Sequence, residues 1–284
     1  MTNRDEQVQA LIRSALLEDI GNGDHSTLSC IPFDTRGKAV LKIKADGVLA
    51  GMEMAERIFK SVEPGILFTP LKQDGEHMQP GENAFEVQGR IHTILSCERL
   101  ALNTMQRMSG IATLTRQYAD ALKGYHTTIL DTRKTTPNFR IFEKEAVRIG
   151  GGGNHRMGLY DMIMLKDNHI DYAGGITAAL QRAADYVQRY HPQLKIEVET
   201  RNLDEVKQVL ACGLAHRIML DNFTPAEISE ALSLINGRFE TEASGGINLD
   251  NIEAYAKTGV DYISAGALIH QARSLDLSLK AVPE

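Results

Sequence analysis

Six short apolar runs in the second half of this chain each end on residues that can do chemistry. TTILD closes on Asp131, with Thr132, Arg133 and Lys134 directly after it, and DMIMLK ends on Lys166. LKIEVE ends on Glu199 and HRIMLD on Asp221. FETEAS closes on Ser244 before Gly245 and Gly246, and VDYISAG on Ser264, Ala265 and Gly266. The stretch TRKTTPNFR carries Arg133, Lys134 and Arg140 and no acid, in a chain of net charge −6. GGGGNHR then delivers His155 and Arg156 just ahead of the second run. Guanidinium forks suit bidentate carboxylate or phosphate contacts. Glycines let an anion approach backbone N–H groups. If Arg133, Lys134, Arg156 and Lys166 gather at one place, faced by Glu199 and Asp221, a bound polyanion relieves their mutual repulsion. The pattern therefore predicts a small, multiply anionic ligand with both carboxylates and phosphates.

Parallel strands can bring such residues together. The last four runs are about 21 to 23 residues apart, the beat of successive strand–helix units. In a parallel barrel the C-terminal strand ends converge on one mouth, where the active site lies, often with a phosphate site after the last two strands. No strand leads into GxGxxG, so a dinucleotide fold is not indicated. The barrel is placed at 109–271. Residues 1–108 read as a separate α+β domain, to which 272–284 return. It opens with a helix carrying Val8, Leu11, Ile12, Ala15 and Leu16 at helical spacing. The alternating KAVLKIKA strand follows, then a helix over 52–62 and turn signals at QDGE and QPGE. Ser96 is positioned to cap a long helix that Gly124 stops, with Ser109-Gly110 weakening its middle.

Composition excludes several classes. The net negative charge argues against a general nucleic-acid binder, which needs a basic face. Three cysteines without a CxxC fit neither a disulfide framework nor a zinc site, and suit reduced thiols in the cytoplasm. The N-terminus is too polar for a signal peptide, and no apolar run approaches the roughly 20 residues that span a bilayer. His155 and His169 do not make a metal-binding spacing. Lys166 at a strand end leaves open a Schiff-base aldolase, a reading that does not account for the arginines.

The segments DTRKTTPNFR, EKEAVRIGGGGNHRMGLYDMIMLKDNHI, EVET, MLDN, EASGGI and ISAGALIH closely resemble the quinolinate phosphoribosyltransferase family. The resemblance reaches the first domain through GDHST, DGVLAGMEMAERIF and SCERLALNTMQRMSGIAT, and so covers nearly the whole chain. It implies an N-terminal α/β sandwich domain plus an incomplete, open α/β barrel of the type II phosphoribosyltransferase kind. It also implies transfer of phosphoribose from phosphoribosyl pyrophosphate (PRPP) to quinolinate, giving nicotinate mononucleotide, pyrophosphate and CO2 in de novo NAD biosynthesis. By the same resemblance Thr132, Arg133, His155, Arg156 and Lys166 bind substrate, and Lys134, Glu199 and Asp221 serve the phosphoribosyl group. The backbones of Ser244, Gly245 and Gly246 and of Ala265, Gly266 and Ala267 form the 5′-phosphate site. Magnesium is carried with PRPP near Glu199 and Asp221, without a direct protein ligand. Arg99 is implied to enter the partner's site across a homodimer interface. A paralogous barrel phosphoribosyltransferase with another substrate is the alternative. The chain departs from the family at Asn138-Phe139, where Gly-Leu is usual, at Glu145, where tyrosine is common, and in GDHST.

Overall fold

The computed structural model of the protein describes residues 3–282. Two units emerge. One comprises the described residues up to Arg116 together with Thr135–Gly151 and the C-terminal segment from Gln271; the other comprises Gln117–Lys134 and Gly152–His270. The division expected at 108/109 therefore falls inside a continuous helix, Ile91–Ala121, and the TTPNFR segment groups with the first unit rather than with the barrel.

The first unit is built on a four-stranded antiparallel sheet. Its order is Leu277–Val282, Arg36–Ile43, Asn83–Arg90, Leu67–Pro70. In the strand Arg36–Ile43, Leu41 and Ile43 are fully buried while Lys42 and Lys44 lie toward solvent, as the alternation predicts. The C-terminal strand pairs with it over Lys38–Ile43. The opening helix, Asn3–Ile20, buries Val8, Ile12 and Leu16, and the next long helix spans Met52–Val62.

The helix Ile91–Ala121 does not start at Ser96. It begins directly after a strand, and its cap comes from elsewhere in the chain. The buried Glu63 carboxylate accepts the Arg90 N–H at 3.0 Å, and a carboxylate is favoured at a helix N-terminus. A cap so remote in sequence leaves no local trace. Ser109-Gly110 does not break the helix either. Ser109 Oγ accepts the Ala50 N–H at 3.0 Å. A Cβ on Gly110 would stand 2.0 Å from the carbonyl oxygen of Arg273, so the glycine permits a close backbone approach rather than a bend. Two departures from the family find local explanations. Asn138 adopts φ +61°, a conformation asparagine tolerates where glycine is otherwise needed. Glu145 accepts from Arg4 at 3.2 Å and Arg148 at 2.9 Å.

The second unit is a six-stranded, all-parallel sheet. In chain order the barrel strands are Thr128–Leu130, Ile163–Leu165, Ile196–Thr200, Arg217–Asp221, Glu240–Ser244 and Tyr262–Ser264. They are called the first to sixth barrel strands below. Their spatial order is first, sixth, fifth, fourth, third, second. No ladder joins the first to the second, so the barrel is open there. At that edge the first strand instead takes a parallel bridge from Leu130 to Gly153. Helices follow the second to fifth strands, including Ile176–Tyr190, Leu203–Cys212 and Pro225–Ile235. Each turns an apolar stripe inward, such as Val206 and Val209 or Ile228, Ala231 and Ile235.

Candidate active site

The strand ends meet as predicted. A cleft of about 420 Å³ is lined by Thr132, Arg133, Lys134, His155, Arg156, Lys166, Glu199, Asp221 and Ser244 among others. Every one of these was singled out from the sequence. Ser264, which ends the sixth run, lines it too, and so do Met164, Met219 and Glu242, which the sequence did not single out.

The position of each group follows from strand register. Residues two apart on a strand face the same side. Glu199 and Asp221 end adjacent strands, with Glu199 beside Met219 and Asp221 beside Ser244. Lys166 Nζ lies 2.7 Å from Glu199 Oε2. The Lys166 backbone is fixed in turn, because its N–H donates to His169 Nδ1 at 3.0 Å. His169 is thus a helix-capping residue. The Asp221 carboxyl is pushed above the usual carboxylate range, first by burial and second by the charge of Glu199. Burial and the neighbouring Arg133 both depress the Arg156 guanidinium. These are the signs expected of like charges held together in a partly desolvated cleft.

His155 and Arg156 reach the cleft through a clamp. Asp131 is fully buried. Its Oδ1 accepts the His155 N–H at 2.9 Å, and its Oδ2 accepts Asn154 Nδ2–H at 2.6 Å. The backbone continues the pairing: Asp131 N–H donates to Gly153 O at 3.1 Å, and Gly153 N–H to Ile129 O at 2.8 Å. The glycines ahead of this segment have steric roles. Gly151 caps the helix Arg140–Gly150 at φ +97°. A Cβ on Gly153 would sit 2.7 Å from Leu130 Cδ2. GGGGNHR is thus a fitted connection that holds His155 and Arg156 to the edge of the first barrel strand.

Several expected residues lie apart from the cleft lining. Arg99 is exposed on the helix Ile91–Ala121 in the first unit. Arg140 Nε donates to Thr135 Oγ1 at 2.9 Å within the same unit. Gly245, at φ +98°, could not carry a Cβ, which would fall 2.2 Å from Asn222 Oδ1. Gly246, at φ +63°, faces open space. The Ala265 N–H already donates to Leu130 O at 3.0 Å, so of that triplet only the amides of Gly266 and Ala267 are left to meet an anion. A Cβ on Gly266 would lie 2.9 Å from Lys134 Cδ, so this glycine makes room for the lysine stem.

Asn222 was missed. At φ +59° it donates Nδ2–H to Asp221 Oδ2 at 2.7 Å, and its backbone N–H to Ser244 O at 2.8 Å. Its position after a strand-ending aspartate was the available signal. The Asp131 clamp yields a direct prediction. Asp131→Ala removes the acceptor of the buried His155 N–H, at a cost of about 1–3 kcal/mol. It should lower the melting temperature and raise the KM for the carboxylate substrate. An unchanged KM in a folded variant would refute the clamp.

The comparisons with known proteins agree with this geometry. Residues 24–109 match the N-terminal domain, and residues 111–280 the C-terminal domain, of quinolinate phosphoribosyl transferase. The chain is 45% identical over 288 residues to the chloroplastic nicotinate-nucleotide pyrophosphorylase (carboxylating) of Arabidopsis thaliana, covering 96% of this chain and 82% of that one. It is 44% identical over 270 residues to a probable enzyme of the same name from Synechocystis, covering 94% and 90%. The crystal structure of NadC from Streptococcus pyogenes superposes with a TM-score of 0.90 at 39% identity, over 98% of both chains. The nicotinate-nucleotide pyrophosphorylase of Francisella tularensis does so with a TM-score of 0.90 at 38% identity, over 99% of this chain and 98% of the other. A cationic cleft at the mouth of an open barrel and matches along both domains lead to one conclusion: this chain belongs to the quinolinate phosphoribosyl transferase family.

Proposed function

We infer that the cleft joins quinolinate to PRPP, and that the observation carrying this reading is the gathering of Arg133, Lys134, Arg156 and Lys166 opposite Glu199 and Asp221. The protein is a decarboxylating pentosyl transferase of NAD biosynthesis that forms nicotinate mononucleotide, pyrophosphate and CO2. Quinolinate is a pyridine with two adjacent carboxylates, and Arg133, Arg156 and Lys166 supply the donors that clamp it, with His155 accepting the Arg156 N–H. Holding the ring nitrogen against C1 of the ribose accounts for much of the catalysis, because the nucleophile needs no activation. As the C1–O bond to pyrophosphate breaks, the ribose takes on oxocarbenium character. The carboxylates of Glu199 and Asp221 stabilise that charge. Lys134 offsets the charge building on the departing pyrophosphate. The new bond leaves the ring nitrogen quaternary. The electron pair of the C2–carboxylate bond then stays on C2 as CO2 departs, and a proton replaces it.

Magnesium fits this arrangement. Two neighbouring carboxylates, one of them pushed up by burial and by the other's charge, would hold the water shell of a divalent cation. Bound with PRPP, the ion supplies further neutralisation of the pyrophosphate. The amides of Gly245, Gly246, Gly266 and Ala267 are proposed to hold the 5′-phosphate. Lys166 is poorly placed for Schiff-base chemistry, because its ammonium is held 2.7 Å from Glu199. The cytoplasm is the proposed compartment, which suits three free cysteines. Among the described residues no helix is long and apolar enough to cross a membrane.

A homodimer is proposed, with Arg99 completing the partner's site. Its exposure, and a cleft lined by second-unit residues alone, support that reading.

Two experiments test these assignments. Pyrophosphate release with magnesium and PRPP should occur with quinolinate, with CO2 evolved, and not with nicotinate. Arg156→Lys should raise the quinolinate KM about tenfold or more, since a charged hydrogen bond is worth about 1.5–3 kcal/mol. Turnover of nicotinate, or a normal KM in the variant, would contradict the clamp. For the dimer, Arg99→Ala and Lys134→Ala should each be inactive, and mixing them should restore measurable activity. No recovery in verified heterodimers would rule out the shared site.

A further inference from the structure

At the floor of the cleft, which Glu242 helps to line, lies a second layer of charge. Glu197 precedes Glu199 by two on the third barrel strand, Arg217 precedes Met219 and Asp221 on the fourth, and Glu242 precedes Ser244 on the fifth. All therefore face the barrel interior. Glu197 and Glu242 are fully buried. Arg217 Nη1 lies 3.1 Å from Glu242 Oε2, and its guanidinium stacks 4.1 Å from the centroid of the Tyr262 ring. Its Nη2 also pairs with the half-exposed Glu240 at 3.1 Å. His155 reaches down to this layer, with Nε2 3.0 Å from Glu197 Oε2 and 3.4 Å from Glu242 Oε2.

The protons of this layer can be counted. The Arg156 backbone N–H donates to His155 Nδ1 at 2.8 Å. Nδ1 must therefore carry a lone pair, so Nε2 bears the imidazole proton and the ring is neutral. Charge alone pulls the other way. Burial would lower the His155 pKa, but the adjoining carboxylates of Glu197 and Glu242 outweigh it and push the pKa up to about 9. An imidazolium would force an Nδ1–H against the Arg156 N–H across that 2.8 Å contact, and the geometry decides against it. With His155 neutral, two buried carboxylates face one part-buried guanidinium, and an uncompensated buried carboxylate is costly enough to take up a proton. Glu242 has the better claim to stay ionised. The hydrogen bonds from His155 and Ser264 and the charge of Arg217 overcome its burial and hold it low. Glu197 is pushed up by burial and by the charge of Glu242. One donor atom from each of His155, Glu197 and Glu242 lies within 4.8 Å of the others, a spacing a metal could use. The Arg217 guanidinium already occupies the electrostatic role of that cation.

We propose that Glu197 is a positioning residue held as an uncharged carboxylic acid, which together with ionised Glu242 and Arg217 locks His155 as the neutral Nε2–H tautomer. The consequence for function rests on the phosphoribosyl-transfer reading. A dianionic substrate above this layer meets a floor with no net negative charge, and His155 holds the Arg156 amide in place for the clamp.

The test has two parts. In the intact enzyme labelled with 15N-histidine, the His155 signals are assigned by their loss in His155→Gln. They should show one bare and one protonated ring nitrogen at pH 7, and an imidazolium pattern overturns the proposal whether or not the enzyme turns over. The second part is kinetic. Glu197→Gln mimics the neutral acid and should keep the quinolinate KM within about threefold of wild type. Glu242→Gln leaves Arg217 without its buried counter-charge and should raise KM by about tenfold or more, since losing one partner of a buried pair is costly. A Glu197→Gln defect as large as that of Glu242→Gln overturns the proposal. Failure of the wild type to use quinolinate would sink the functional reading and leave the 15N result standing.

Discussion

Side chains two residues apart on a parallel strand must face the same way, and this protein applies that constraint to charges. Glu197 and Glu199, Arg217 and Asp221, and Glu242 and Ser244 pair up along three adjacent strands. Register then sorts them into two layers. The upper layer lines the cleft. The lower layer is largely buried, and its charges must balance nearly within it. A slip of one residue in any of these strands would turn an acid into the helix-packed face, so the site and the sheet are specified by the same pattern.

Cations enter this frame from outside it. Arg133 and Lys134 follow the first barrel strand, and Arg156 arrives on the segment that Asp131 holds to that strand's edge. The opening of the barrel between its first and second strands thus has a use. The free edge of the first strand pairs with the backbone carrying His155 and Arg156, which a closed ladder would not permit. Asp131, although buried and absent from the cleft lining, decides where two substrate-binding groups can be.

Much of this was legible in the sequence. The 21–23-residue beat exposed the parallel units, and the strand-end residues together with GGGGNHR named ten of the cleft-lining groups. Other features were hidden for physical reasons. The start of the helix Ile91–Ala121 is capped by Glu63, a long-range contact without a local signature. Gly110 looked like a weak point because its neighbour, the Arg273 carbonyl, is distant in sequence. Glu197, Arg217 and Glu242 were readable in principle, since EVE, RIMLD and EAS alternate. A buried acid, however, breaks the apolar-in rule on which strand reading relies. The pairing of Ala265 N–H with Leu130 O could not be foreseen without the sheet order.

The central claim is that the cleft reads two adjacent carboxylates rather than one. Calorimetric titration of the intact enzyme with quinolinate and, separately, with nicotinate tests it most directly. The account predicts that quinolinate binds at least about tenfold more tightly, the worth of one further charge-assisted hydrogen bond. Equal affinities for the two acids would contradict it.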